Sequence, residues 1–217
     1  MTAPKPIILL ISLAHRDFQD EMYASLFDAL SASAQVKRAK TGPAAIQHLL
    51  GGNNSNNNIP VPSTVIITDE GLTQRRHADV LRKLNEYAQS GGRVIVGLHF
   101  PSFTLMNAFD RFFGDGFGLP WTHGTYYRTV CTLNPDCVWP VPRDAALPGP
   151  FSVKALHVKG ARPEERLLVP APGQPLDAEP GQAAIACARI GSGSLVYCGD
   201  VNVEVGSVRL VLALCGV

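Results

Sequence analysis

Residues 64–99 read TVIITDEGLTQRRHADVLRKLNEYAQSGGRVIVGLH and contain a complete strand–helix–strand unit. The run Thr64–Thr68 is apolar without alternation, which is typical of a strand that is covered on both faces of a parallel sheet. A helix is predicted from about Thr73 to Gln89, and Gly91-Gly92 is a signal for its C-terminal cap. Arg93–Gly97 is the next strand. This order predicts a right-handed crossover between two parallel strands.

The same alternation extends on both sides of this unit. Ile7–Leu13 is a strand, and the four-residue spacing of Phe18, Met22, Leu26 and Leu30 predicts an amphipathic helix of about four turns. A short polar strand near the sheet edge is predicted over residues 35–40, and helices over residues 43–50 and 101–113. Four such repeats predict an α/β fold with a doubly wound, mostly parallel, flavodoxin-like sheet.

The second half is rich in proline and glycine and has shorter apolar runs. We interpret it as added, partly antiparallel strands of the same sheet, so that residues 1–217 form one domain. The predicted strands are residues 126–133, 152–157, 167–169, 183–189 and 194–198. A terminal helix is predicted over residues 207–215. Residues 51–62 are rich in asparagine, and we expect a mobile surface loop there because such a segment buries no apolar surface.

Composition excludes several classes of protein. The 217 residues are 46% apolar and 17% charged, with a net charge of +1, so no strong field favours nucleic acid or a membrane surface. The run Ile7–Leu13 is too short to span a bilayer. Five cysteines without CxxC spacing argue against a disulfide scaffold and a structural zinc site, and favour a cytoplasmic protein with reduced thiols. Cys187 and Cys198 are predicted to lie opposite each other in a hairpin as two buried thiols.

Polar residues gather where the predicted strands end. Parallel α/β sheets bind ligands outside the carboxyl ends of their strands. If the last strand is parallel to the first four, all of these residues face one crevice. The candidates are His99, Asp69 and Asp200 as catalytic residues, and Ser12, His15, Asp17, Glu70, Phe100, Asn202 and Glu204 as ligand-binding residues.

Structural roles remain open for several of these residues. Asp17 is a plausible helix N-cap, and Glu70 favours a helix N-terminus electrostatically. Asp69 follows a buried strand, where backbone N–H groups often hold a carboxylate. The spacing of Asp200, Asn202 and Glu204 fits metal ligands, but it also fits ordinary turn residues, and turn chemistry is favoured. His123 and His157 are isolated and are interpreted as surface or satisfied imidazoles.

His99 occupies the sharpest position. Gly97-Leu-His-Phe-Pro101 lies where a strand turns abruptly into a helix, a turn that carries the nucleophile on a strained backbone in hydrolases. We expect His99 to be the residue at the tip, which often needs a positive φ. An imidazole there can act as a general base, a metal ligand or a hydrogen-bond donor. In the hydrolase turn a small residue usually follows the tip, and Pro101 departs from that pattern.

The motifs Val65–Glu70, Gly91–His99 and Gly191–Gly199 resemble the class I glutamine amidotransferase-like superfamily. The Gly-Leu-His order is similar to its ThuA-like branch, and the whole chain resembles fungal members of the superfamily. A working amidotransferase needs a cysteine at the turn and a later His–Glu pair. This chain has no cysteine before residue 131 and no His-x-Glu, so we expect no glutaminase activity. The carbohydrate link of that branch implies a sugar-sized pocket lined by Trp121, Trp139, Tyr126 and Tyr127, although packing remains the favoured role of these residues.

Three functions follow from these observations. The first is a protein that binds a small polar metabolite in the crevice, with no cofactor, no nucleic acid and no membrane partner; a homodimer is compatible with it. The second is an enzyme, a hydrolase or a sugar-metabolite enzyme, in which His99 acts as base with Asp69 or Asp200. A variant of the second holds a divalent metal with His15, Asp69, His99 and Asp200. The third, an interaction module in the proline-rich half, has no specific support.

Overall fold

The computed structural model describes residues 4–54, 57–138, 147–174 and 180–217. Within them, nine strands form one mixed sheet, and two more form a separate short ladder. The strands are β1 (Ile7–Ile11), β2 (Gln35–Ala39), β3 (Gly52–Asn54), β4 (Asn57–Ile59), β5 (Thr64–Ile67), β6 (Arg93–Val96), β7 (Thr122–Leu133), β8 (Phe151–Lys159), β9 (Arg166–Pro170), β10 (Ile185–Ile190) and β11 (Gly193–Cys198). The helices are α1 (Phe18–Met22), α2 (Ala24–Ser33), α3 (Gly42–Leu50), α4 (Ala78–Gln89), α5 (Phe100–Phe103), α6 (Met106–Phe117) and α7 (Val205–Cys215).

One half of the sheet is parallel, in the order β2-β1-β5-β6-β11. The strands β1, β5, β6 and β11 are almost wholly buried, which explains their continuous apolar runs. The outer strand β2 alternates in exposure, as predicted for a polar edge strand. The expectation that the last strand runs parallel to the others is confirmed by the pairing of β11 with β6.

The other half of the sheet is antiparallel. It continues from β11 through β10, β9 and β7 to β8, so the prediction that the second half of the chain extends the same sheet is confirmed. The expectation that Cys187 and Cys198 face each other is wrong. The hairpin register pairs Cys187 with Val196 and Cys198 with Ile185, because Ile190 and Gly193 are the innermost pair.

Helices cover both faces of the sheet. Residues of α3, α4 and α6 pack with Leu9, Val65 and Val94 on one face. Residues of α2 and α7 pack with Ile8 and Ile66 on the other. The side chains of each buried strand alternate between these two cores, and the carboxyl ends of the parallel strands stay at a common edge.

Two predicted helices are each broken in two. The helix predicted over Phe18–Leu30 is interrupted at Tyr23, and Phe18 and Met22 are 49% and 38% exposed instead of buried. The helix predicted over residues 101–113 is interrupted at Thr104 and Leu105, whose backbones are extended. The helical periodicity is real, but Phe18, Met22 and Phe103 in these first turns are partly exposed, whereas Phe100 belongs to the core.

Two further boundaries differ from the predictions. The helix predicted from Thr73 begins with two 3₁₀ turns, and α4 itself starts at Ala78. The asparagine-rich segment, predicted as a loop, contains the paired strands β3 and β4.

Candidate functional site

Four buried parallel strands end at one edge of the sheet, and the residues that follow them form the candidate site. The first contact there joins two hydroxyl groups. Ser12 Oγ lies 2.7 Å from Thr68 Oγ1, which also donates to the Ile11 carbonyl oxygen at 3.1 Å. These contacts tie the end of β1 to the end of β5. Ser12 is buried and its hydroxyl is already engaged.

Asp69 joins the same two strand ends. Its Oδ1 accepts hydrogen bonds from the backbone N–H groups of Ala14 at 3.0 Å and Gly71 at 2.9 Å. The carboxylate is 1% exposed, and burial raises its pKa above the usual range. Gly71 is required there, because a Cβ would lie 2.6 Å from Leu13 Cβ. The backbone-anchoring role that the sequence left open therefore has the right geometry.

Glu70 pairs with Arg16, a residue that sequence reasoning missed. The guanidinium of Arg16 holds both carboxylate oxygens of Glu70, at 2.6 and 3.1 Å, and lies 4.1 Å above the ring of Phe103. The pairing raises the pKa of Arg16. Arg16 and Glu70 are 54 positions apart, so only the juxtaposition of the two loops after β1 and β5 brings them together.

His15 and Asp17 belong to a different cluster. His15 Nε2 lies 3.4 Å from Asp20 Oδ2 and 3.9 Å from Asp17 Oδ1. Asp20 also contacts Arg38 on β2. Asp17 occupies the predicted N-cap position of α1, but its side chain makes no capping hydrogen bond and is fully exposed.

His99 is enclosed by aromatic rings. The centroids of Phe18 and Phe103 each lie 5.0 Å from its ring, and that of Tyr23 lies 5.3 Å away. Tyr23 Oη and His99 Nδ1 are 3.0 Å apart, which is a hydrogen bond. The imidazole is 2% exposed, and burial, together with the nearby charge of Arg16, lowers its pKa below 6.5. The lowered pKa favours the neutral imidazole.

One nitrogen of this imidazole has no partner. His99 Nε2 is buried and forms no hydrogen bond with any described residue. A buried donor or acceptor without a partner costs about 1–3 kcal/mol, so such an atom calls for a physical explanation. In a site at the carboxyl edge of a parallel sheet, one explanation is that a ligand supplies the missing partner.

The strained turn belongs to Leu98 and not to His99. Leu98 has a φ of +56°, whereas His99 has a φ of −79°. The expectation that His99 sits at the tip with a positive φ is therefore wrong. The tip carries a buried leucine side chain, which cannot act as a nucleophile or base.

Leu98 and Asp200 line a small hollow beside His99. The hollow has a volume of ≈ 20 Å³, enough for about one water molecule, and Tyr23 and Cys198 form further parts of its wall. Asp200 accepts hydrogen bonds at 2.8 Å from the backbone N–H groups of Asn202 and Glu204, and burial raises its pKa. This is the turn chemistry that the sequence favoured.

His99 makes no hydrogen bond with either candidate carboxylate among the described residues. Tyr23 links His99 to the hollow of Asp200, because its hydroxyl bonds His99 and the residue also lines that hollow. Of the three candidate catalytic residues, only Asp200 lines this hollow, so the structure does not place all three in one shared crevice. Tyr23 is the second site residue that sequence reasoning missed, because its spacing resembled that of a core residue.

The remaining candidates lie elsewhere. Glu204 forms an ion pair with Arg128 at 2.8 Å, and Asn202 is exposed. Phe100 is fully buried, with its ring centroid 4.9 Å from that of Phe112, a position that favours packing. In the described parts of the chain, no group of three or more His, Cys, Asp or Glu side chains could hold a metal ion.

The aromatic residues considered for a sugar-sized pocket are dispersed. Trp121 is fully buried, and its Nε1 donates to Glu165 at 3.3 Å. Tyr127 stacks on His157 with centroids 4.3 Å apart, and Tyr126 is half-exposed. Trp139 lies outside the described residues. His123 is not isolated, because its Nδ1 lies 2.9 Å from Asp110 Oδ1.

No family model matches this sequence, and no curated protein matches it. Solved structures do. A ThuA-like protein from Parabacteroides merdae has a TM-score of 0.50 at 12% identity, covering 98% of this chain and 91% of that one. β-Galactosidases from Rahnella sp. R3 and Bacillus circulans have TM-scores of 0.55 and 0.57 at 15% and 10% identity, each covering 98% of this chain.

The chain spans about a third of the length of these galactosidases, 31% in both cases. At such low identities, the likeness concerns the fold alone. The chain is therefore an α/β protein with a mixed nine-stranded sheet, structurally similar to a ThuA-like protein. Among the described residues, no helix is both long enough and apolar enough to cross a membrane.

Proposed function

We propose that this protein is a glutamine amidotransferase-like protein without glutaminase activity, which binds a small polar metabolite beside His99. The order of its parallel strands supports the fold assignment. Numbered along the chain, these strands lie in the order second, first, third, fourth, fifth, which is the flavodoxin-like order. The ThuA-like structural neighbour, which matches over almost its whole length, supports the same assignment.

The absence of glutaminase activity is supported by the turn at Leu98. An acyl-enzyme route needs a thiolate at that tip, and the tip carries a hydrocarbon side chain. Cys198, which lines the hollow beside Leu98, is a buried thiol whose pKa is raised to about 12 by burial. A thiol with that pKa is almost entirely protonated at neutral pH and is a poor nucleophile.

The single observation that carries the binding proposal is the unpartnered Nε2 of His99. A ligand hydroxyl can satisfy this atom whichever tautomer is present, because a hydroxyl both donates and accepts hydrogen bonds. Phe18 and Phe103 cover the imidazole, and both are partly exposed, at 49% and 41%. Apolar faces next to one unpartnered polar atom favour a small hydroxylated molecule with an apolar face, such as a sugar or a hydroxy acid.

The enzyme hypothesis is less well supported. A catalytic imidazole needs a group that orients it, and a carboxylate at Nδ1 is the usual choice. In this structure the group at Nδ1 is the hydroxyl of Tyr23, and Asp69 and Asp200 are held by backbone N–H groups. Binding without catalysis explains this arrangement with fewer assumptions. A cytoplasmic location is part of the proposal, supported by five thiols that form no disulfide.

A thermal-shift screen of sugars, polyols and hydroxy acids tests the proposal. A ligand at a free concentration of 100 times its Kd stabilises the protein by about 2.7 kcal/mol, which corresponds to a rise of roughly 5–10 °C in Tm for a chain of this size. We expect at least one hit with the wild type, no response in His99→Ala, and an unchanged response in His48→Ala. Hits that His99→Ala retains, or ammonia release from glutamine by the wild type, would refute the proposal.

A further inference from the structure

The opposite edge of the sheet carries a row of polar and basic residues. The strand register aligns Thr64 on β5 with Arg93 on β6, Arg93 with Ser194 on β11, and Ser194 with Arg189 on β10. Directly paired residues point to the same face of a sheet, so these four side chains share one face. Arg93 and Arg189 lie one strand to either side of Ser194, with their backbones about 10 Å apart.

This row borders an open cleft of ≈ 360 Å³. The cleft lies at the amino ends of the parallel strands, opposite the edge that holds His99. The described residues that line it include no aspartate or glutamate. They are Pro6, Ser63, Thr64, Gly91, Arg93, Arg189, Ser192, Gly193, Ser194 and Cys215.

The two guanidinium groups have unused hydrogen-bond donors. Arg93 donates from one Nη to the carbonyl oxygen of Leu214, but its Nε is buried and has no partner among the described residues. Arg189 is exposed, and within the described chain its guanidinium has no hydrogen bond or ion pair. Each guanidinium carries five N–H donors and no acceptor, so Arg189 and the Nη donors of Arg93 that Leu214 does not use remain able to bind an anion.

One feature of the surroundings opposes an anion. The C-terminus of α7 lies at the cleft, since Leu214 and Cys215 are its last residues, and a helix C-terminus carries a partial negative charge. The bond from Arg93 to Leu214 neutralises part of that charge. Neutralising the helix end therefore explains Arg93. It does not explain Arg189, which lies two strands from Arg93 and contacts no helix carbonyl in the described residues.

We propose that this cleft binds a tetrahedral oxyanion of the phosphate class between Arg93 and Arg189. The guanidinium of Arg189 and the free N–H groups of Arg93 hold oxygen atoms from two sides, and the hydroxyls of Ser192 and Ser194 border the space between them. Charge-assisted hydrogen bonds of this kind are roughly twice as strong as neutral ones. The site is independent of His99 and uses none of the residues of the proposed metabolite site.

Isothermal titration with inorganic phosphate tests this proposal. Ionic strength is held constant with sodium chloride, so that general screening is the same in every titration. We expect saturable binding to the wild type and at least tenfold weaker binding to Arg189→Gln. The matched control is Arg76→Gln, which removes an exposed arginine outside the cleft and should leave the affinity unchanged.

Arg93 needs a gentler variant, since it also holds the end of α7. Arg93→Lys keeps the charge but loses the fork geometry, and we expect weaker phosphate binding with an unchanged circular dichroism spectrum. Absence of saturable binding by the wild type would overturn the proposal. Equal weakening in Arg189→Gln and Arg76→Gln would also overturn it, because binding would then reflect net charge alone.

Discussion

The strained turn at Leu98 leads to an inverted order of stability between alanine and glycine variants. Leu98 is 5% exposed and has a φ of +56°. Its replacement by alanine removes a buried side chain and should cost about 3 kcal/mol. Glycine also removes the Cβ that alanine keeps, which costs about 0.8 kcal/mol for a buried carbon, but it relieves a left-handed backbone, which is worth about 1–2 kcal/mol. Glycine also has more conformational freedom than alanine in the unfolded chain, which lowers the stability of the folded protein by about 0.4–1 kcal/mol and offsets part of that gain.

We therefore expect Leu98→Gly to be more stable than Leu98→Ala by up to about 1 kcal/mol. Leu84, fully buried inside α4, is the matched control, since its backbone is helical. There the glycine variant should be less stable than the alanine variant by about 1 kcal/mol. Urea unfolding followed by tryptophan fluorescence measures all four variants. If Leu98→Gly is no more stable than Leu98→Ala, the positive φ at Leu98 and the position of the turn are both wrong.

Three other predictions concern the packing of glycine positions, the bond between Tyr23 and His99, and the buried imidazole of His157. Gly71→Ala should lower the free energy of unfolding by about 2–3 kcal/mol, because the added Cβ would clash with the loop after β1. Gly114 lies inside α6 with open space around it, so Gly114→Ala should raise the free energy of unfolding by about 0.5–1 kcal/mol. Urea unfolding measures both variants. Tyr23→Phe removes the hydroxyl bonded to His99 and should lower the unfolding free energy by about 1 kcal/mol, and an unchanged value would argue against that bond. Burial lowers the pKa of His157 from 6.5 to about 4. Between these two pH values the imidazole is protonated in the unfolded chain but not in the folded protein. The free energy of unfolding should therefore fall by up to about 3 kcal/mol as the pH drops from 6.5 to 4. His157→Phe should flatten this dependence, and a slope equal to that of the wild type would contradict it.

Much of the fold could be predicted because local sequence patterns determine it. The apolar runs that became β1, β5, β6 and β11 predicted strands and their burial, and the strand–helix alternation predicted that β1, β5 and β6 are parallel. The parallel direction of β11 was a condition of the predicted crevice, which the pairing with β6 meets. The exposed first turns at Phe18 and Phe103 could not be predicted in this way. Periodicity reports which side of a helix is apolar, but not whether a core is present beside it.

The contacts of the candidate site were less predictable than the fold. The pair Arg16–Glu70 and the bond between Tyr23 and His99 join residues 54 and 76 positions apart. Neither partner has a local motif that specifies the other. Sequence reasoning located the edge where polar groups gather, because the end of each apolar run marks the end of a strand. It misassigned the turn, because the Gly-x-His order does not say which of the three residues takes the left-handed conformation.

The central claim, that a neutral His99 offers a free Nε2 to a ligand, is tested most directly by side-chain ¹⁵N NMR of the histidines. We predict a neutral imidazole at pH 7, with an ionisation below pH 6.5, and a selective shift of the His99 Nε2 resonance when a hit from the screen is added. An imidazole that titrates at or above 6.5, or a His99 resonance that saturating ligand leaves unmoved, would contradict the account.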